Sequence, residues 1–159
     1  MGQPYVAVVG AGAAPPDEER AAEAVGRGLA EAGSIVVCGG LGGVMEAACR
    51  GAREAGGTSV GILPGTSRSD ANRFVDIAIP TGLGEMRNAL VVRTADAVVA
   101  VGGEFGTLSE IALALKVGKP VVGIGTWDLS RGGERAQPIA RAASPEHAVR
   151  LVLAACALP

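Results

Sequence analysis

The chain has 159 residues, 25 of them glycine and only four aromatic (Tyr5, Phe74, Phe105 and Trp127). Hydrophobic residues make up 48% and charged residues 19%, a composition that excludes general disorder and, lacking a Gly-X-Y period, excludes collagen. The formal net charge is −2 with no run of lysine or arginine, so neither nucleic acid nor an acidic membrane surface is an expected partner.

Short β-branched runs alternate with Ala/Leu-rich segments of helical period, the pattern of βαβ units. In chain order, the predicted elements are strand Tyr5–Val9, helix Glu18–Ala32, strand Ser34–Cys38, helix Gly43–Ala55 and strands Thr58–Leu63 and Phe74–Ile79. Helix Glu85–Thr94, strand Ala97–Val101, helix Thr107–Val117, strand Pro120–Ile124 and helix Pro145–Ala155 follow. Asp17 and Ser144 are predicted N-caps, the latter before Pro145, and Gly33 and Gly56 fit left-handed C-terminal caps. Gly125–Ala143 reads as one long irregular loop. The expected fold is α/β: residues 1–159 as a single-domain, Rossmann-like, doubly wound and mostly parallel sheet of about six or seven strands, with helices on both faces. Cys38, Cys49 and Cys156 are odd in number and lack CxxC spacing, which predicts reduced thiols, no metal site and a cytoplasmic protein. No signal-type leader or membrane-length apolar run is seen.

In such a sheet, ligands bind beyond the carboxyl ends of the strands, where helix N-termini offer unpaired N–H groups. Three turns there are glycine-rich: Gly10-Ala11-Gly12, Gly39-Gly40-Leu41-Gly42-Gly43 and Gly102-Gly103-Glu104-Phe105-Gly106-Thr107. The third, with Thr107 at a helix start, suits a phosphate, although it is neither a Walker A loop nor a GxGxxG fingerprint. Glu110 has two readings. It completes a capping box, Thr107-x-x-Glu110, or it stands one turn from the phosphate to act on the attached sugar. Arg87, early in its helix, opposes the macrodipole, so it serves an anionic partner or simply faces solvent.

The segments CGGLGGVMEAACRGAREAGG, TGLGEMRNALVVRTADAVVAVGGEFGTLSE and ALKVGKPVVGI resemble the LONELY GUY (LOG) superfamily. They are most similar to its short bacterial branch, related to molybdenum cofactor carrier proteins and to the Rossmann-like domain of DprA/Smf proteins. The resemblance implies a homodimer or higher homo-oligomer with a nucleotide-binding domain. It also implies hydrolysis of a nucleoside 5′-monophosphate at its N-glycosidic bond, giving free base and ribose 5-phosphate, with no cofactor or metal required. By the same resemblance, Glu110 and Arg87 would be catalytic, while Gly102, Gly103, Gly106 and Thr107 would hold the phosphate. Gly39, Gly40, Gly43, Met45, Glu46 and Asn88 would wall the ligand. The lysine decarboxylase label once given to such proteins is rejected, since no pyridoxal-phosphate lysine site is evident.

Three residues depart from the cytokinin-activating enzymes: Val101 replaces a proline, Asn88 a lysine, and Glu46 a glycine. They favour the alternative, a non-catalytic carrier or sensor of a phosphorylated ligand, either an AMP-like nucleotide or the pterin-based molybdenum cofactor. Trp127 reads as a packing anchor or a stacking surface, His147 as solvent-exposed, Cys38 as a small buried hydrophobe, and Asn72-Arg73 as a solvated turn. The helix bearing Leu90, Val91 and Val92 suits a dimer seam as well as the sheet.

Overall fold

The computed structural model describes residues 2–136 and 138–157. Strand β1 (Tyr5–Gly10) leads through helix α1 (Pro16–Glu31) to β2 (Ile35–Cys38), and α2 (Val44–Glu54) leads on to β3 (Ser59–Leu63). A loop reaches β4 (Ile77–Pro80), followed by a 3-10 turn at Gly84–Arg87, α3 (Asn88–Thr94) and β5 (Ala97–Val101). The remainder is α4 (Phe105–Lys116), β6 (Val121–Ile124), the short β7 (Leu129–Arg131) and β8 (Glu134–Ala136), β9 (Ile139–Arg141) and α5 (Pro145–Cys156). Seven strands form one sheet in the order β4-β3-β2-β1-β5-β6-β9, and every pairing in it is parallel.

Alternation along the central strands divides the core. Val6, Val8, Ala97, Val99 and Val101 face α1, α2 and α5, whereas Ala7, Val9, Val98 and Ala100 face α3 and α4. Burial on both faces is why these strands read as unbroken apolar runs. Helices α1 and α2 approach so closely that a Cβ at Gly26 would lie 2.0 Å from the Ala48 carbonyl oxygen, and one at Gly51 2.0 Å from that of Glu23. Beside this contact, the Arg50 guanidinium donates to the Glu23 carboxylate at 2.8 and 3.0 Å.

Several boundaries differ from the sequence reading. Helix α1 begins at Pro16 with Pro15 at its N-cap, so Asp17 lies inside the first turn, where it complements the dipole rather than capping it. Strand β4 begins at Ile77 rather than Phe74, because Phe74 and Val75 pack on Cys38, Met45 and Cys49. The Gly125–Ala143 stretch is not one loop. Within it, β7 and β8 form an antiparallel hairpin about Gly132-Gly133, both at positive φ, and β9 extends the sheet; Gln137 lies outside the described residues. Ser144 caps α5 by accepting the His147 N–H at 3.1 Å, and Gly33 and Gly56 take positive φ after their helices. His147 is half-buried, its Nδ1 accepting the Ala143 N–H. Among the described residues no helix is long and apolar enough to cross a membrane.

Candidate functional site

From β1 the chain winds outward through β2, β3 and β4, then returns to place β5 on the other side of β1. That reversal leaves a crevice beyond the carboxyl ends of β1 and β5, the expected position for a ligand in an open parallel sheet. A cavity of about 420 Å³ lies there, within the range of about 300–1,000 Å³ usual for small-molecule sites. Its floor and one wall are Val8, Val9 and the turn Gly10–Ala13, with Gly39, Leu41 and Met45 alongside. The opposite wall comes from Glu85, Arg87 and Asn88 before and at the start of α3, and from Glu104, Gly106, Thr107 and Glu110 on α4.

The wall is held by short-range contacts. Gly43, at φ 63°, carries the chain into α2 where a Cβ would lie 2.2 Å from the Ala11 carbonyl oxygen, so the N-terminus of α2 abuts the first glycine turn. The Val44 N–H donates to that same oxygen at 3.1 Å. Gly39 leaves room for the most buried cation. A Cβ there would stand 2.6 Å from Arg87 Nη2 and 2.8 Å from Met45 Sδ. Asn72 braces this turn, its side-chain amide donating to the Leu41 carbonyl at 2.8 Å and its backbone N–H to that of Gly40 at 2.9 Å. It is a partly buried staple rather than a solvated turn residue.

Arg87 is only 9% exposed. Its Nη1 donates to Asn88 Oδ1 and its Nη2 to the Gly39 carbonyl at 3.4 Å, while Nε has no hydrogen-bond partner. Asn88 passes the connection on: Nδ2 donates to Ser109 Oγ at 3.2 Å, and that hydroxyl to the Gly106 carbonyl at 2.6 Å. The starts of α3 and α4 are thereby tied by side chains at the mouth of the cavity.

Helix α4 begins at Phe105 with Glu104 at its N-cap. Thr107 is therefore inside the helix and cannot head a capping box, which removes the purely structural reading of Glu110. Glu110 is 8% exposed and lines the cavity. Burial pushes its carboxyl up to about 7, opposed in part by the charge of Arg87. Leu108 is the first residue of α4 whose N–H reaches back to a carbonyl, that of Glu104. The N–H groups of Phe105, Gly106 and Thr107 thus lack an intrahelical partner and favour an anion.

Of the residues singled out from sequence, the turn residues Gly10, Ala11 and Gly12 line this one cavity together with Gly39, Met45, Arg87, Asn88, Gly106, Thr107 and Glu110. The others lie outside its lining. Gly40 packs against Leu63, Gly43 against Ala11 and Gly12, and Glu46 sits in the first turn of α2. Gly102 and Gly103 line a separate depression shared with Glu18, Glu104, Trp127 and Asp128, and a Cβ at Gly102 would meet the Glu18 carboxylate at 2.2 Å. Burial, with Asp17 and Glu104, raises the Glu18 carboxyl above its ordinary range. Trp127 packs on the core and beside Phe105, ring centroids 5.5 Å apart. Cys38 is fully buried, its sulfur accepting the Gly40 N–H at 3.3 Å. Sequence reasoning did not assign Val8, Val9, Leu41, Glu85 or Glu104 to the site. The signal that could have found Val8 and Val9 was the position of β1 at the reversal of strand order.

The fold and cavity define a Rossmann-like α/β protein with a small-molecule site at its switch point. Residues 3–149 match the SLOG cluster4 family, within the LOG- and DprA-like SLOG superfamily, and the chain belongs to that family. It is 46% identical over 119 residues to an uncharacterized protein of Archaeoglobus fulgidus, covering 75% of this chain and 78% of that one. Among solved structures it is similar to the molybdenum cofactor binding protein of Rippkaea orientalis, with a TM-score of 0.87, 36% identity and coverage of 97% and 98%. The molybdenum cofactor carrier protein of Chlamydomonas reinhardtii gives a TM-score of 0.83 at 33% identity, covering 99% of this chain and 100% of that one. Likeness to DNA processing protein A of Helicobacter pylori, TM-score 0.69 at 19% identity over 94% of this chain and 80% of that one, concerns the fold alone.

Proposed function

We propose that this protein binds and holds a phosphorylated small molecule of the molybdenum cofactor type in the β1/β5 cavity, without turning it over. The observation that carries this reading is the cavity itself, which Gly106 and Thr107, in the first turn of α4 with its free N–H groups, line together with the buried Arg87 guanidinium. The kinship with molybdenum cofactor binding and carrier proteins supports the choice of ligand. So does Asn88, which is engaged in the Arg87–Ser109 network rather than offering a free cation to substrate. The net charge of −2 supports a small ligand over nucleic acid, and the odd cysteine count supports a reducing, cytoplasmic setting.

The test is anaerobic incubation with molybdenum cofactor, followed by gel filtration and assay of molybdenum and of the oxidised pterin in the protein peak. Co-elution of both is the expected result; loss of both from the peak overturns the reading. Hydrolysis of a nucleoside 5′-monophosphate is the second reading, favoured by the near-neutral Glu110 carboxyl lining the same cavity as Arg87. Release of free base by the wild type and not by Glu110→Ala would establish it.

The same reading includes a homodimer. Val91 and Val92 of α3 are buried against the sheet, but Leu90 is 38%, Met86 76% and Phe105 75% exposed. Met86, Ala89, Phe105 and Leu113 line a groove of about 570 Å³ between α3 and α4, an apolar surface suited to a second copy. Light scattering should give a dimer for the wild type and a monomer for Met86→Glu with Phe105→Glu.

A further inference from the structure

The sulfurs of Cys38 and Cys49 lie 3.4 Å apart, and both residues are fully buried. Cys38 ends β2 and Cys49 lies on α2, so the pair brackets the segment that brings Gly39, Leu41 and Met45 to the cavity wall. The two thiols are not equivalent. The hydrogen bond from Cys38 lowers the Cys49 thiol, burial opposes it, and the Ser59 hydroxyl and Asn72 amide lower it further. The same hydrogen bond and burial push the Cys38 thiol well up. A cysteine that serves only as a small apolar residue needs no polar groups about it, whereas a thiolate is stabilised by donors.

We propose that Cys49 and Cys38 are a site of oxidation by hydrogen peroxide, Cys49 as the attacking sulfur and Cys38 as the resolving one, and that their disulfide resets this wall of the cavity. The Cys49 thiolate attacks one peroxide oxygen and the O–O bond breaks. Cys49 is left as a sulfenic acid, and the released hydroxide takes up the thiol proton as water. Cys38 then attacks the Cys49 sulfur: the S–S bond forms, the S–O bond breaks, and hydroxide leaves with the Cys38 proton as a second water. Two thiols and one peroxide thus give one disulfide and two waters. Bonding brings the sulfurs to about 2.0 Å and draws the end of β2 toward α2. Gly39 follows Cys38 directly, and a Cβ there would lie 2.8 Å from Met45 Sδ and 2.6 Å from Arg87 Nη2, so the shift is felt where the guanidinium lies. Met45 packs in one cluster with both cysteines and also lines the cavity. Displacement of its flexible side chain admits a molecule of the size of peroxide but not a glutathione disulfide. In a reducing compartment such a bridge is transient and redox-sensing.

The test uses the full chain carrying Cys156→Ser, which removes the one other thiol. The folded, reduced protein is treated with hydrogen peroxide or with oxidised glutathione, then unfolded for thiol counting and intact mass. With peroxide, both thiols should be lost and the mass should fall by two hydrogens, with Cys38 and Cys49 recovered in one cross-linked peptide that dithiothreitol separates. Oxidised glutathione should leave both thiols free. Amide exchange across Gly39–Gly43 should slow in the oxidised protein, while α4 stays as it was. In Cys38→Ser, dimedone should trap a sulfenic acid at Cys49. Retention of both thiols under peroxide, or their loss only at urea concentrations that unfold the chain, overturns the site. A dimedone adduct on Cys38 of Cys49→Ser, with none on Cys49 of Cys38→Ser, overturns the assigned order. Unchanged exchange across Gly39–Gly43 in the cross-linked protein overturns the coupling to the cavity wall.

Discussion

The turns after β2 and β5 look alike in sequence, each a pair of glycines between a buried parallel strand and a helix, yet they do different work. Gly39 opens onto the cavity and lets a guanidinium lie against the backbone. Gly102 turns away from it, toward the Glu18 carboxylate, Gly103 packs against the Thr107 side chain, and the chain rejoins the cavity at Glu104, Gly106 and Thr107. Open backbone alone therefore does not make two turns alike. The charge that faces the glycines decides: a cation at the first turn, carboxylates at the second.

The comparison is broken most forcefully at Gly39. Gly39→Val should displace Arg87 and Met45, weakening ligand binding by roughly 100-fold and lowering stability by about 1–3 kcal/mol through overpacking, as measured by calorimetry and urea unfolding. Glu110 gives the next largest effect. Its unfolded carboxyl titrates near 4.5 and its folded one near 7; between these values the folded state retains a proton that the unfolded state has lost. Wild-type stability should therefore fall as pH rises from 4.5 to 7 and then level off, with Arg87, Glu85 and Glu104 lining the same cavity and Cys38 behind it. Glu110→Gln lacks this dependence and should be about 2 kcal/mol more stable than the wild type at pH 8, with the gain gone below pH 4.5.

Smaller effects sharpen the contrast. Asn72→Ala releases the Leu41 carbonyl and the Phe74 N–H and should cost about 1 kcal/mol, with a matching loss of amide-exchange protection across residues 39–43. Glu18→Gln, at the second turn, should change ligand affinity less than about threefold, since a surface charge beside the wrong turn contributes little. A tenfold gain in affinity would instead locate the phosphate at Gly102-Gly103.

The sheet was legible where strands are covered on both faces: β1, β2, β5 and β6 are apolar throughout, β3 is so apart from Ser59, and their helices end at recognisable caps. Strand β9 was not, because only Ile139 of its three residues is buried, and three residues carry no period. Helix α4 starts two residues earlier than Thr107 suggests. That shift, invisible in a motif that fits a capping box, is what takes Glu110 out of a cap. Arg87 stood out as misplaced against a helix dipole, but its partner could not be read, since Gly39 lies 48 residues away and offers only a carbonyl and the absence of a side chain.

The reciprocal approach of α1 and α2 at Gly26 and Gly51 has a reach beyond the two helices. Helix α1 leaves the Gly10–Ala13 turn and α2 starts against it, so the spacing of the pair sets the breadth of that side of the cavity. The two glycines act as a calliper: alanine at either would part the helices and widen the mouth by way of the Ala11–Val44 hydrogen bond. Ligand size could then be retuned from residues that no ligand ever touches.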